Sequence, residues 1–189
     1  MTTITTAPTS TEHAIPAGSW AVDPVHSSVG FEVKHMVVST FRGDFREFDA
    51  VLETQDGASR LVGTARVASV DVRDENLAAH LSSPEFFDAE RHPEIRFEST
   101  AIRADGDGRF VAEGELTVRG NTKAIEAHGE LVHIGADISG SARIGLRLEA
   151  TVDRREFGLE WNAPLPKGGF ALGNDVKLVV GLELVPKEV

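Results

Sequence analysis

Apolar residues alternate with polar ones along most of this chain, and this pattern limits its fold more than any other feature. From Phe110 to Val118, and again from Ala142 to Val152, every second residue is apolar or small. Successive side chains of a β-strand point to opposite faces, so the pattern predicts strands with one buried face. Between short turns containing Gly, Asp or Asn, the pattern recurs about eight times.

Strands with one apolar face close into a barrel or pack in pairs as a sandwich. Short hairpins between consecutive strands, such as the turn predicted at Gly120-Asn121, favour the barrel. We therefore predict an all-β fold, an eight-stranded antiparallel up-and-down barrel. A barrel of this size is either filled by side chains or holds one small ligand. Small residues on the inward faces, such as Ala112 and Gly114, favour a cavity.

Residues 74–88 depart from the alternation and predict a short helical segment. Asp74 is a typical helix N-cap, and Leu77 and Leu81 lie one helical turn apart. The run Ser83-Pro84-Glu85 predicts a second helical start, because Pro is favoured at the first helical position. Phe86 and Phe87 follow and look exposed in this pattern, so the segment is interpreted as a lid over the barrel.

The chain of 189 residues fits one domain, with a disordered N-terminal segment at 1–18 and a barrel at 19–189. The Thr-rich start has neither the basic residues nor the apolar core of a signal peptide, which predicts a cytoplasmic protein. A net charge of −11 argues against nucleic-acid binding and against electrostatic docking on an anionic membrane. The apolar runs are too short for stable membrane insertion.

The sequence carries no familiar catalytic pattern. Cysteine is absent, which removes thiolate nucleophiles and cysteine ligands. Among the seven histidines, His26 and His35 are separated by an odd interval, which places them on opposite faces of a regular strand. We therefore predict a protein that is not an enzyme, with no metal site and no cofactor other than a bound lipid.

Seven blocks of residues, in order along the chain, resemble the YceI family of polyisoprenoid-binding, lipocalin-like proteins over residues 19–186. They are Trp20-x-Val-Asp-x-x-His26-Ser27, Phe31-x-Val-Lys-His35, Gly43-x-Phe45, Arg73-Asp-x-x-Leu77-x-x-His80-Leu81-x-Ser83-x-x-Phe86-Phe87-Asp88, His92-Pro93-x-Ile95-x-Phe97-x-Ser99-Thr100, Gly114-x-Leu116-Thr117-x-Arg119-Gly120-x-Thr122 and Asp153-Arg154-x-x-Phe157-Gly158.

The resemblance implies a lipocalin-like barrel whose long apolar tunnel binds a polyisoprenoid, an isoprenoid quinone or a related amphiphile. The role implied is sequestration or transport without enzymatic activity, and a homodimer is compatible with it. An alternative stays open, in which a packed barrel serves as a non-catalytic structural or regulatory interaction protein. Its motivation is the apolar, Pro- and Gly-rich loop at 161–173.

The candidate ligand-binding residues follow from the alternation, from the lid and from the barrel mouth. They are Phe31, Val33, His35, Phe45, Phe86, Phe87, Phe97, Leu116, Ile144, Leu146, Arg154 and Leu178. His35 ends the apolar face of its strand, where it is either a partly buried histidine hydrogen-bonded to the backbone or a polar contact at the mouth of the cavity. The basic candidates for contact with a ligand head group are Arg42, Lys123, Arg154 and Lys167.

Overall fold

The computed structural model describes residues 15–187, which form eleven β-strands, one α-helix and two short 3-10 helices. The strands are β1 (Gly18–Val22), β2 (Ser28–His35), β3 (Ser39–Phe45), β4 (Phe48–Gln55), β5 (Ala58–Arg66), β6 (Val70–Asp71), β7 (Glu94–Ala104), β8 (Arg109–Val118), β9 (Asn121–Ala136), β10 (Ala142–Asp153) and β11 (Leu172–Pro186). The α-helix, α1, spans Glu75–Ser82, and the 3-10 helices span Val67–Ser69 and Arg154–Phe157.

Eight strands close a ring in the order β1-β4-β5-β7-β8-β9-β10-β11, because β1 pairs with β11 on one side and with β4 on the other. The pairings are antiparallel throughout this ring. β2 continues β1 along β11, β3 pairs with β2 before the chain bends into β4, and β6 pairs with β3. The predicted all-β, eight-stranded antiparallel barrel is confirmed.

The two ends of the barrel are built differently. One end carries the turns β4–β5, β7–β8 and β9–β10, and we call it the closed end. The other end carries α1, the β2–β3 and β8–β9 turns and the long connection between β10 and β11, and we call it the open end. The open end therefore has the longer, less regular segments that can cover or uncover an interior.

Apolar side chains fill the half of the barrel next to the closed end, which we call the packed half. There Leu52, Ile144 and Leu184 are fully buried and pack with Trp20 and Phe110. A second buried cluster lies toward the open end, where strand residues meet α1 and both 3-10 helices. The interior of the barrel is thus divided between a solid half and a half that is covered from outside the ring.

The helix is shorter than predicted. Asp74 caps α1 as expected, since its side chain accepts a hydrogen bond from the Leu77 N–H at 2.8 Å. The predicted second helical start at Ser83 is wrong, because Ser83 ends α1 and residues 83–88 form turns. The Phe86 and Asp88 N–H groups both donate to the Ser83 carbonyl, at 3.0 and 2.9 Å. This tight turn closes the chain on itself instead of continuing a helix.

The turn between β8 and β9 lies one residue earlier than predicted. Arg119 and Gly120 form it, with left-handed φ angles of 50° and 74°. Two successive left-handed residues are typical of the hairpin turn whose twist matches that of the flanking strands. The Gly120-Asn121 pair therefore predicted the hairpin correctly, but the register of β8 and β9 places the turn at Arg119 and Gly120.

The predicted disordered segment, residues 1–18, falls mainly in residues 1–14, which lie outside the described part of the chain. Within the described part, Ile15 packs against the packed half and Gly18 begins β1. Among residues 15–187, no helix combines the length and the hydropathy that a membrane crossing requires.

Candidate ligand-binding site

A cavity of about 450 Å³ lies under the segments that cover the open end and reaches the edge of the packed half, where Leu148, Ala150 and Leu182 line it. Aliphatic and aromatic residues supply most of its lining. The polar or charged lining residues are His35, Asp49, Thr64, His80, Glu149 and Arg154. The Glu149 carboxylate pairs with Lys177 at 2.7 Å beside the outer surface, so its charge is compensated outside the lumen. The cavity therefore offers an apolar environment with little charge.

The cavity is long compared with its volume. Along β11 its lining extends from Leu172 to Leu182. At about 3.3 Å per residue, these ten steps correspond to roughly 33 Å of strand. A volume of about 450 Å³ spread along that length is narrow. Its shape suits one extended chain better than a broad ring system.

Ten of the twelve predicted site residues line this cavity. They are Phe31, Val33, His35, Phe45, Phe86, Phe87, Phe97, Leu116, Arg154 and Leu178. The other two, Ile144 and Leu146, lie outside it in the packed half, with 0% and 3% exposure. Both face inward as the alternation predicts, but they lie at the height of the barrel where neighbouring side chains fill the interior.

Several lining residues are not among the candidates predicted from the sequence, and they are of two kinds. Some continue the inward face of strands already identified, and the alternation could have supplied them: Val29, Val118, Val152, Val176 and Val180. Others come from α1, from the β10–β11 connection and from the start of β11: Leu77, His80, Leu81, Leu159, Trp161 and Leu172. The spacing of Leu77 and Leu81 predicts a helix, but no local pattern places these residues in the cavity wall. The second kind belongs to the wall only through tertiary packing.

Two aromatic groups meet at the adjacent residues Phe86 and Phe87. The Phe87 ring lies 6.0 Å from the Phe45 ring and 6.4 Å from the Phe31 ring, both with edge-on geometry. Phe87 thereby joins the cover of the open end to the strand wall. Phe86 and Phe87 are 6% and 8% exposed, so the exposure predicted for this pair is wrong. Both rings are part of the cavity wall.

Phe86 packs in the second aromatic group with His80 and Trp161. The His80 ring is perpendicular to both neighbours, with centroid distances of 5.0 Å to each. The Phe86 and Trp161 rings are 5.2 Å apart. His80 Nε2 also lies 2.8 Å from a carboxylate oxygen of Glu85, which fixes the ring plane. This group links α1 to the β10–β11 connection above the lumen.

Arg154 is a buried guanidinium in the cavity wall, 4% exposed. Its Nε donates to the Gly173 carbonyl at 2.9 Å, and its Nη1 donates to the carbonyls of Leu159 and, at 2.9 Å, Trp161. These bonds hold both ends of the β10–β11 connection. Nη2 bonds to no acceptor within residues 15–187. Burial lowers the pKa of Arg154.

Of the four head-group candidates, Arg154 lines the cavity. Arg42, Lys123 and Lys167 are exposed and lie outside the lining. Arg42 instead pairs with Glu32 at 2.7 Å on the outer face of the barrel. Arg154 is therefore the basic side chain best placed to meet a ligand in the lumen.

A model of the YceI-like domain matches residues 20–184, which is nearly the whole described chain. The chain belongs to the YceI-like family. One relative is a UPF0312 protein of Staphylococcus aureus (strain N315), 30% identical over 169 residues that cover 87% of this chain and 96% of the relative. A UPF0312 protein of Photorhabdus laumondii is 30% identical over 138 residues, 71% of each chain.

Solved structures share the YceI-like barrel. BcnA of Burkholderia cenocepacia superposes with a TM-score of 0.75 at 22% identity, covering 86% of this chain and 98% of BcnA. The YCEI protein of Campylobacter jejuni gives 0.69 at 25% identity, covering 88% and 97%. A polyisoprenoid binding domain from Saccharophagus degradans gives 0.66 at 12% identity, covering 89% and 98%. At 22% and 12% identity, the likeness supports the fold alone.

Arg119, one of the residues that carry the YceI resemblance, fastens the cover of the open end. Its Nη2 donates to the Pro84 carbonyl at 2.7 Å, and its Nη1 donates to the Gly158 carbonyl. Asn121 adds a bond from its side-chain amide to the Phe157 carbonyl at 3.0 Å. The β8–β9 turn thus holds both the Phe86-Phe87 turn and the 3-10 helix after β10.

His26, another residue of the YceI pattern, lies at the closed end, away from the cavity. Asp23, His26 and Glu183 bring three potential metal-ligand atoms within 4.8 Å of one another. The Arg143 guanidinium supplies the positive charge within this group, because its Nη1 lies 3.2 Å from the Asp23 carboxylate and 3.5 Å from the Glu183 carboxylate. A hydrogen bond between His26 and Asp23 raises the pKa of His26 and lowers that of Asp23. The arrangement is an ion-pair network.

Proposed function

We propose that this protein binds the apolar tail of a single-chain amphiphile, such as a polyisoprenoid, an isoprenoid quinone or a related lipid, for sequestration or transport. The observation that supports this most is the narrow apolar cavity of about 450 Å³. Its volume falls within the range of about 300–1,000 Å³ typical of small-molecule sites. The Saccharophagus degradans structure, described as a polyisoprenoid binding domain, has the same fold.

The energetics favour a carrier over a permanent store. Burying the five carbons of one isoprene unit is worth on the order of 4 kcal/mol relative to water, at about 0.8 kcal/mol per CH₂ group. A bilayer solvates the same tail about as well, so little of this gain remains in a membrane-to-protein transfer. The fit of the tail and the contact with the head group then decide the direction of exchange.

We assign the head-group contact to Arg154. Its Nη2 has no acceptor in residues 15–187, while Nε and Nη1 are held by backbone carbonyls, so the guanidinium is fixed with one donor group left. A charge-assisted hydrogen bond from a fixed guanidinium is stronger than one between neutral groups. Carboxylate, phosphate or carbonyl head groups supply the matching acceptor. The tail then extends from Arg154 toward the packed half.

We propose binding without catalysis. In the described chain the lining contains neither Ser, Cys nor Lys, the usual covalent nucleophiles. The two lining histidines lie near the open end, where His80 is engaged by Glu85. The cavity wall therefore supplies apolar contact with the lipid tail and excludes water from it, and a carrier needs both.

The test replaces Leu178, a half-buried lining residue, with Trp. The matched control is Val179→Trp on the opposite face of the same strand, outside the lining. Native mass spectrometry after incubation with palmitate or geranylgeraniol measures uptake. We expect one bound ligand in the wild type and in Val179→Trp, and loss of uptake in Leu178→Trp. Equal uptake by both folded variants would show that the ligand does not occupy this cavity.

The alternative function, a non-catalytic interaction protein with a packed barrel, draws on the loop at 161–173. Trp161 and Leu172 fold back and line the cavity, whereas Phe170 is 61% exposed. The barrel is packed in one half only. A wild-type protein that takes up none of the tested lipids would favour this alternative and direct the search to protein partners.

A further inference from the structure

Two hairpin tips stand side by side at the open end. One is residues 36–38, between β2 and β3, and the other is residues 163–171 in the β10–β11 connection. The Met36 N–H donates to the Ala171 carbonyl at 2.8 Å and joins them. We call the two tips together the lip. We propose that the lip docks reversibly on the surface of an anionic lipid bilayer. The lipid exchange of the proposed function would then take place at the lip.

The lip exposes large apolar side chains. Val37, Val38 and Phe170 are 90%, 88% and 61% exposed. Val37 also has a left-handed φ of 61°, which a β-branched residue adopts at a cost. Turns of this kind favour Gly, Asn or Asp. The conformation of the local backbone therefore does not explain why valine occupies the tip. A contact with another molecule would explain it.

The charge of the lip is opposite to that of the rest of the protein. The chain has 30 acidic residues among 189, about one in six, yet residues 33–43 and 161–174 contain none. The same two segments carry Lys34, Arg42 and Lys167, of which Arg42 pairs with Glu32. Lys34 and Lys167 are exposed and pair with no carboxylate in the described chain. Apolar tips with basic flanks complement a surface of anionic head groups.

The lip is continuous with the cavity. His35 and Phe41 line the cavity and flank the first tip, while Ala171 and Leu172 line it beside the second. An amphiphile that leaves past this rim passes directly into whatever the lip contacts. A stable protein interface buries about 800 Å² per partner. Two narrow tips with few exposed apolar side chains suit insertion among lipid head groups better than a dimer face.

The closed end supplies a matched comparison. Val25 and Ile138 are as exposed there as the valines of the lip. Their surroundings are acidic, with Asp23, Asp137 and Glu183 arranged around one arginine. Apolar exposure alone is therefore present at both ends, and the lip differs in that residues 33–43 and 161–174 contain no acidic side chain and carry two exposed lysines.

The experiment measures flotation of the full-length protein with vesicles of phosphatidylcholine and phosphatidylglycerol in equal parts. We expect the wild type to float, and added salt to weaken binding by screening the lysines. In the double variant Val37→Asp/Val38→Asp we expect the bound fraction to fall about tenfold or more, because apolar insertion is lost and charge is reversed. The control Val25→Asp/Ile138→Asp should float like the wild type. Asp tolerates a left-handed backbone, so the lip variant keeps its fold.

Palmitate uptake, measured on the same proteins in the absence of vesicles, separates this proposal from the proposed function. Uptake that persists in the lip variant while flotation is lost supports docking through the lip. A wild type that does not float, equal flotation of both variants, or equal loss in both overturns it. If the lip variant instead changes only the oligomeric state in light scattering, the lip is an interface between copies of this chain. Flotation without palmitate uptake contradicts the proposed function and leaves docking standing.

Discussion

Two glycines allow phenylalanine rings to lie against the barrel wall instead of projecting into the lumen. A Cβ atom at Gly43 would lie 2.5 Å from Cζ of Phe31, and one at Gly114 would lie 2.6 Å from Cζ of Phe97. Both distances are far below van der Waals contact. The glycines belong to the inward or covered face of their strands, and the space they leave is occupied by the rings. The width of the cavity therefore depends on Gly43 and Gly114 having no side chain.

We predict that Gly43→Ala narrows the cavity. The new methyl group displaces the Phe31 ring toward the lumen, and overpacking of this kind costs about 1–3 kcal/mol. Because the displaced ring occupies space that the tail needs, we also expect palmitate to bind roughly tenfold more weakly, a change of about 1.4 kcal/mol. Titration calorimetry measures it. The control is Gly145→Ala, where the nearest atom is Val132 Cβ at 3.5 Å, an ordinary contact. Unchanged affinity in Gly43→Ala would mean that the ring turns elsewhere.

At this scale, alternation predicts the direction of a side chain but not its height along the barrel. Ile144 and Leu146 point inward as expected, yet they lie in the packed half. Leu178, on the neighbouring strand, points inward and lines the cavity. Whether an inward side chain is packed or lines the cavity depends on which side chains of other strands lie at the same height along the barrel. The sequence of a single strand does not contain this information.

In the cover of the open end, the Arg119 side chain joins two short segments. Arg119 bonds to Pro84 on the turn after α1 and to Gly158 after the 3-10 helix. Phe86 and Trp161, which these two segments carry, are 5.2 Å apart in the cavity wall. The β8–β9 turn thereby holds together the two segments that bring Phe86 against Trp161.

We predict that Arg119→Ala loosens this cover. Loss of two charge-assisted hydrogen bonds should lower the free energy of unfolding by about 2 kcal/mol and accelerate ligand release several-fold. Urea denaturation and stopped-flow release of a fluorescent fatty acid measure the two effects. The control, Arg103→Ala, removes an exposed ion pair with Glu113, which is worth about 0–1 kcal/mol. Release at the wild-type rate would show that the cover does not gate the ligand.

The sequence marks the start of α1 but not its end. Asp74 is recognisable because its capping role depends on a residue three positions away. The turn at 83–88 instead depends on backbone bonds to Ser82 and Ser83 and on the burial of both Phe86 and Phe87. Proline after serine is typical of a helix start, and here tertiary packing prevails over that local preference.

The whole molecule combines a packed half with a half that contains the cavity, and we expect only the second to respond to ligand. We predict that backbone amides of Ile144 and Leu146 exchange slowly with and without ligand, because their half of the barrel is packed. Amides of Leu77 and Phe87 should exchange faster and become protected when palmitate binds. Hydrogen–deuterium exchange with mass spectrometry measures this. Uniform protection along the chain on binding would contradict the division of the barrel.

At the scale of the whole chain, the number of strands and their closure could be predicted, since both follow from alternation and short hairpins. The division into two halves could not. It depends on Trp20 and Phe110, from strands far apart in sequence, filling one end together. It also depends on α1 and the β10–β11 connection crossing over the other end.

The lipid transfer proposed above would proceed through the open end, because side chains fill the packed half. Ligand would then enter and leave by the same route, in opposite order. A donor and an acceptor must then take turns at a single face, and a ternary complex of donor, carrier and acceptor cannot form. Transfer between two vesicle populations should accordingly follow ping-pong kinetics, with parallel lines in a double-reciprocal plot.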